Sequence, residues 1–179
     1  MEGLTEFGRL RSARLTQQMP RPLMEERIAR FLDAGNVCVM ATSLNDQPLA
    51  TPIEYYQKDF IFIITGAATT KVRNLRANPR ICIGIYGLFR QRWSDDWDRC
   101  QGVQAWGRAE VFTEGDNPQA YAQAMGIYQW RVYRQAFGKP ATQPPETTVI
   151  KATVDVIAYR DLGVMREGFA PVQIWKRFS

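Results

Sequence analysis

TGAATTKVRNLRANP, residues 65–79, directly follows the apolar run FIFII of residues 60–64, and these two segments decide how the chain is read. The apolar run has the length and β-branched content of a buried strand. Thr69 or Thr70 offers an N-cap hydroxyl for the helix that follows. Asn78-Pro79 ends that helix, because a proline pushes the residue before it out of the helical region. The first turn of a helix exposes N–H groups without intrahelical partners and the positive end of the macrodipole, so it usually carries Asp or Glu. Here it carries Lys71 and Arg73 and no carboxylate. One explanation is a solvated face of Lys71, Arg73 and Arg76 over an inward Val72 and Leu75. The other is an anion at the helix end, most simply a phosphate, since a strand, a short turn of small residues and a helix N-terminus form a common phosphate cradle. Neither the P-loop pattern nor GxGxxG occurs.

Working outward, residues 1–22 read as an N-terminal arm closed by two prolines. Residues 23–34 place Ile28, Phe31 and Leu32 on one helical face, stopped by Gly35 and Asn36. Strand patterns occupy residues 37–43, 49–57 and 81–86, with turns at Asn45-Asp46-Gln47-Pro48 and Lys58-Asp59, and with FIFII they read as an antiparallel meander. After a polar, aromatic loop at 87–100, residues 102–113 alternate as a long strand. Val103, Ala105, Gly107, Ala109 and Val111 share one face of it, and Gly107 marks a bend or a close backbone approach. Asp116-Asn117-Pro118 opens a second long helix whose Tyr121, Met125, Tyr128 and Val132 form a core or interface stripe. The Pro-containing loop at 138–145 is no domain linker, and strands at 149–159 and 172–178 complete one domain over residues 23–179. The expected fold is α+β, a closed antiparallel β-barrel with peripheral helices.

Composition narrows the chemistry. A chain of 179 residues, 45% hydrophobic, supports one real core. No apolar run is long enough to span a bilayer and no signal-peptide core is present, so a cytoplasmic protein is expected. Of the three cysteines none belongs to a CxxC pair, and Cys38 and Cys82 lie in apolar strand patterns where packing is their role. The chain has no histidine, which excludes Ser-His-Asp and Cys-His machinery and imidazole-built zinc sites. Asp and Glu do not cluster at metal-ligand spacing. A bound cofactor that brings its own chemistry fits this inventory best. A net charge of +5 suits anionic ligands such as nucleotides. Nucleic acid is the competing anion, given Arg9, Arg11, Arg14 and Arg21 near the N-terminus and Arg90, Arg92, Trp93 and Trp97 in the 87–100 loop; Asp95, Asp96 and Asp98 interrupt that loop and argue against it.

Taken in order, QPxxTPI, FxxTGxxTTK, NLxxNP and GRAEV from Gly107 resemble the pyridoxamine 5′-phosphate oxidase-like family of FMN-binding split barrels, from about Met24 onward. The resemblance implies a homodimer with FMN at its interface. It implies that Thr65 and Lys71 hold the phosphate, with Ile64 beside them in the cofactor site and with Thr70 and Thr51 standing where the oxidases have arginines. The backbone of Pro52, Ile53 and Glu54 would border the flavin ring, with Gln104 the nearest substitute for a flavin-binding glutamine. Tyr159 stands where the oxidases place a tryptophan, and Arg177 matches an FMN-contacting arginine. Arg73 and Arg177 are the cations available to compensate for the two lost arginines. Gln173 and Trp175 replace the substrate-gripping arginine and histidine of the oxidases, and Trp106, with Tyr159 and Trp175, would wall the ring or the substrate.

The resemblance therefore implies an FMN-dependent oxidoreductase that acts on a small molecule, or takes electrons from a nicotinamide, but does not oxidise pyridoxamine phosphate. The alternatives are a flavin-binding or redox-sensing module without turnover, and a deazaflavin-binding relative. Haem ranks below these for want of an axial histidine.

Overall fold

The computed structural model describes residues 2–66, 69–87, 96–138, 140, 142 and 146–178, without the side chains of residues 2–5 and 133. The stretch with Arg90, Arg92, Trp93 and Asp95 lies outside the described residues, as does much of the loop at 138–145. The elements begin with helices α1 (Glu2–Ser12) and α2 (Arg21–Asp33) and strands β1 (Val37–Leu44), β2 (Gln47–Glu54), β3 (Tyr56–Lys58) and β4 (Ile61–Gly66). Helix α3 (Thr70–Ala77) leads to β5 (Arg80–Tyr86) and β6 (Gln101–Phe112). Helices α4 (Pro118–Ile127) and α5 (Trp130–Ala136) precede β7 (Thr148–Asp161) and β8 (Val172–Lys176). Short 3-10 turns lie at Trp97–Arg99 and Gly163–Glu167.

Strand order is β2-β1-β5-β6-β7-β4-β3, with β8 paired to β7. The fold is an antiparallel α+β split barrel. Two expectations change. The first strands do not form a simple meander, because β2 and β3, adjacent in sequence, stand at opposite ends of the order. No pairing joins those two among the described residues, so the sheet is split and not closed. Tyr55 is buried, and its N–H donates to the Asn36 carbonyl at 2.7 Å, the next rung after Val37↔Glu54, so the chain stays on β1 through Tyr55 before β3 pairs with β4.

By contact the chain divides into two compact units, one of Asn36–Cys82 with Trp106–Val154, the other of Met1–Gly35, Ile83–Ala105 and Asp155–Ser179. In the first, β1 and β2 pair from Val37↔Glu54 to Leu44↔Gln47 around a two-residue turn with Asn45 and Asp46 at φ 50° and 59°. That twist suits a tight hairpin. The β3–β4 turn falls on Asp59-Phe60, φ 52° and 59°, one residue later than expected. A left-handed Phe is strained, and burying its ring offsets the strain. Gly107 confirms the close approach: a Cβ there would overlap the Thr153 carbonyl oxygen and lie 2.8 Å from Val154 Cα.

The expected second long helix is two helices. Gln129 takes φ 52° and breaks it, and Val132 is exposed while Tyr121, Met125 and Tyr128 stay buried. In an unbroken helix Trp130, two residues past Tyr128, would face away from that stripe. The break lets Trp130 join Ile63, Phe112, Tyr121, Met125 and Val149 in one cluster.

In the other unit, α2 starts at Arg21, so Pro20 and Pro22 open a helix instead of ending an arm. Ile28 and Leu32 face its core, and Phe31 packs on Tyr159 at 6.0 Å. Within the first 22 residues lies α1, whose Phe7 ring meets Trp97 at 5.1 Å. Arg166 stacks 4.8 Å over Trp97 and pairs with Glu6 and Asp98. Strand β8 runs from Val156↔Lys176 to Arg160↔Val172 against β7. The carboxamide of Gln18 lies along β8, accepting from Ile174 N–H at 2.8 Å and donating to the Val172 carbonyl at 3.2 Å. No helix among the described residues is long and apolar enough to cross a membrane.

Candidate functional site

The phosphate-type segment folds as its sequence indicates. Phe62, Ile63 and Ile64 of β4 are buried, and Thr65 and Gly66 emerge half-buried at the strand end. Residues 67–68 are not described, and α3 starts at Thr70 with Thr69 as N-cap in extended conformation, φ −120° and ψ 174°. The Thr69 side chain makes no capping hydrogen bond. The first intrahelical bond is Arg73 N–H to Thr69 O at 3.0 Å, so the amides of Thr70, Lys71 and Val72 precede it without intrahelical acceptors. No acidic residue occupies the first turn. Lys71 folds back over the strand end: its Nζ lies 3.6 Å from where a Cβ on Gly66 would stand. Three amides without intrahelical acceptors, the positive helix end and an ammonium thus come together at the start of α3, a donor set suited to a phosphate.

The helix is held so that this end is fixed. Val72 and Leu75 are buried, and Asn74 between them, also buried, donates to Thr42 Oγ1 of β1 at 3.2 Å. Asn78 donates to the Ser43 carbonyl and hydroxyl at 3.2 Å each. Sequence reading missed Asn74. Its signal was an amide flanking the inward Val72 and Leu75, where only a bonded polar group is tolerated.

Thr51 pairs with Met40 and Leu49 with Thr42, so Thr51 and Ile53 share the sheet face that carries Thr42 and α3. Pro52 and Glu54 turn to the other face, beside Val39 and Val37. Trp106 is partly exposed on β6. The exposed face of α3 lines a hollow of about 820 Å³ with Thr69, Thr70, Val72, Arg73, Arg76 and Ala77.

The remaining expected site residues belong to the other unit. Tyr159 is buried, its hydroxyl donating to Asp161 Oδ2 at 2.8 Å and accepting from Gln101 Nε2 at 3.2 Å. Burial, then the Asp161 carboxylate, push its pKa well above the ordinary tyrosine value. Gln173 has no exposed surface. Its Oε1 accepts from Met19 N–H at 2.7 Å and its Nε2 donates to the Ala170 carbonyl at 2.6 Å. Trp175 is buried, its indole N–H donating to Glu25 at 2.7 Å, with the guanidinium groups of Arg21 and Arg177 each 5.5 Å from its ring. Gln104 is exposed on β6. Burial pushes the Cys38 thiol up to about 12, which makes it unreactive at neutral pH. Among the described residues no group of three His, Cys, Asp or Glu side chains could hold a metal ion.

Fold and helix end together define a split barrel with a phosphate-type strand-turn-helix segment. The family model for pyridoxamine 5′-phosphate oxidase matches residues 24–161, and the chain belongs to that family. No curated protein matches it. Among solved structures it is similar to an FAD-binding protein from Mesorhizobium loti, at 16% identity and TM-score 0.57 over 75% of this chain and 91% of that one. It is similar also to a protein related to general stress protein 26, of the pyridoxinephosphate oxidase family, from Clostridium acetobutylicum (15% identity, TM-score 0.55, 85% and 93% covered). A third is the haem storage protein of Vibrio cholerae (14% identity, TM-score 0.55, 73% and 89% covered). At these identities the likeness is one of fold.

Proposed function

We propose that the chain is a cytoplasmic, homodimeric flavin-binding oxidoreductase that takes FMN through its phosphate. One observation carries this reading: α3 begins with an N-cap hydroxyl that bonds nothing in the helix, no carboxylate, and Lys71 turned over Gly66. The residues fit the group. The first-turn amides and Lys71 would hold the phosphate, Thr65 would add a hydroxyl, and the β2 backbone from Pro52 to Glu54 would border the ring. Bound there, the flavin supplies hydride transfer, and the protein supplies orientation and electrostatics. The exposed Val37, Val39 and Trp106 offer an apolar face for a second copy.

The family's named reaction does not follow from membership, because the resemblance places its substrate grip on an arginine and a histidine and this chain has no histidine. The haem named for one relative would lack an imidazole ligand for the same reason. The test is the visible spectrum of the purified protein and of the compound released by heat. Oxidised flavin bands and co-elution with FMN support the reading. A colourless protein that fails to take up added FMN overturns it, and uptake of a deazaflavin instead would replace FMN with that cofactor.

A further inference from the structure

We infer that the outer face of α3 is a second anion subsite, in which Arg73 and Arg76 take the diphosphate of a dinucleotide whose flavin or nicotinamide end reacts nearby. The inference rests on the flavin-phosphate reading above and extends it. Lys71 turns towards Gly66 and is not among the residues lining the hollow. Arg73 and Arg76 are. Three residues apart, they share one helix face with about 4.5 Å of rise between them.

Three further observations point the same way. Both arginines are exposed, and neither makes an ion pair among the described residues. The carboxylate that feels Arg76 is Asp116, which already accepts from the Thr113 amide and hydroxyl at 2.9 Å each. Lastly, the hollow beside these side chains, about 820 Å³ and open to solvent, has room for more than one phosphate. Two like charges a turn apart weaken an isolated helix, whereas guanidinium forks suit paired phosphate oxygens.

The test compares the full-length protein with an Arg73→Ala/Arg76→Ala double variant and, as a control, Arg73→Lys/Arg76→Lys, by titration calorimetry. Each is titrated with FMN, with FAD and with inorganic pyrophosphate, and after loading with FMN, with reduced nicotinamide adenine dinucleotide phosphate. If the diphosphate belongs to the flavin, FAD binds at least tenfold tighter than FMN, and the alanine variant erases that margin. If it belongs to the electron donor, FMN and FAD bind alike, and the alanine variant weakens the nicotinamide at least tenfold. The lysine variant keeps the charge but not the forked hydrogen bonds, and falls between the wild type and the alanine variant. Equal behaviour of wild type and alanine variant towards every diphosphate overturns the subsite while leaving FMN binding intact. If FMN itself does not bind, the flavin reading fails, and pyrophosphate decides the subsite alone: binding lost in the alanine variant supports it, no binding overturns it.

Discussion

The cations of α3 and three arginines of the other unit live in opposite circumstances. In the unit containing α1, α2 and β8, Arg27 meets both oxygens of Glu167 at 2.9 and 2.7 Å, Arg21 meets Glu25 at 2.8 Å, and Arg166 holds Glu6 and Asp98 together. In α3, Lys71, Arg73 and Arg76 have no ion pair among the described residues. Polar side chains differ likewise: the buried Gln173 and Tyr159 are hydrogen-bonded in place, while the exposed Thr69 hydroxyl caps nothing. Groups whose partners come from the chain hold the fold; groups left facing solvent beside a hollow are available to a ligand.

The most severe test of that division is Gln173→Leu. It strands the Met19 N–H and the Ala170 carbonyl in a site with no exposed surface. Chemical denaturation should show a loss of about 2–4 kcal/mol, with flavin affinity of the folded protein unchanged. A loss of flavin binding at full stability would instead place Gln173 at the ligand. Next in size, Lys71→Ala should weaken FMN about tenfold, or ~1.4 kcal/mol, and leave the melting temperature of the ligand-free protein where it was. Unchanged FMN affinity would dissolve the contrast between the units. Smaller again, Arg166→Gln, removing a side chain 45% exposed, should cost less than about 1 kcal/mol and become invisible in high salt.

The smallest effect is in pH. The hydrogen bond from Arg166 holds the Glu6 carboxyl below its usual value. A carboxyl with a depressed folded value contributes stability above its unfolded pKa, about 4.3, and loses it as pH falls through the folded value. Melting wild type beside Glu6→Gln should therefore show a difference at neutral pH that shrinks on acidification below about pH 4. A difference that grows there would refute the latch between α1 and Arg166.

The sequence reveals these regions unevenly, for physical reasons. FIFII, the TTK turn and Asn78-Pro79 can be read because each is local: a buried strand, a helix start and a helix stop depend on neighbours a few residues away. The separation of β2 from β3 cannot, because it hangs on the strands that come to lie between them, β1, β5, β6, β7 and β4, whose pairings join residues far apart in sequence. The helix break at Gln129 is a tertiary override, in which burying Trp130 outweighs continuing the apolar stripe. In β8 the pattern misleads outright. Val172 and Ile174 are exposed and Gln173 is buried, an inversion sustained by two hydrogen bonds that composition does not show. The expected site residues with the most chemical character, Gln173, Tyr159 and Trp175, are thus those most absorbed by packing, while Thr69 and Arg76 keep their side chains open.

The lateral contact of Gln18 with β8 bears on how the molecule stays a discrete particle. A terminal strand offers a free ladder of donors and acceptors, onto which a strand from any other molecule can dock in register. Along β8 the Ile174 donor and the Val172 acceptor are both taken by one side-chain amide, which imitates a passing peptide and then stops. With no backbone behind it, the counterfeit strand cannot propagate, and β8 is closed to templated fibre growth at its centre.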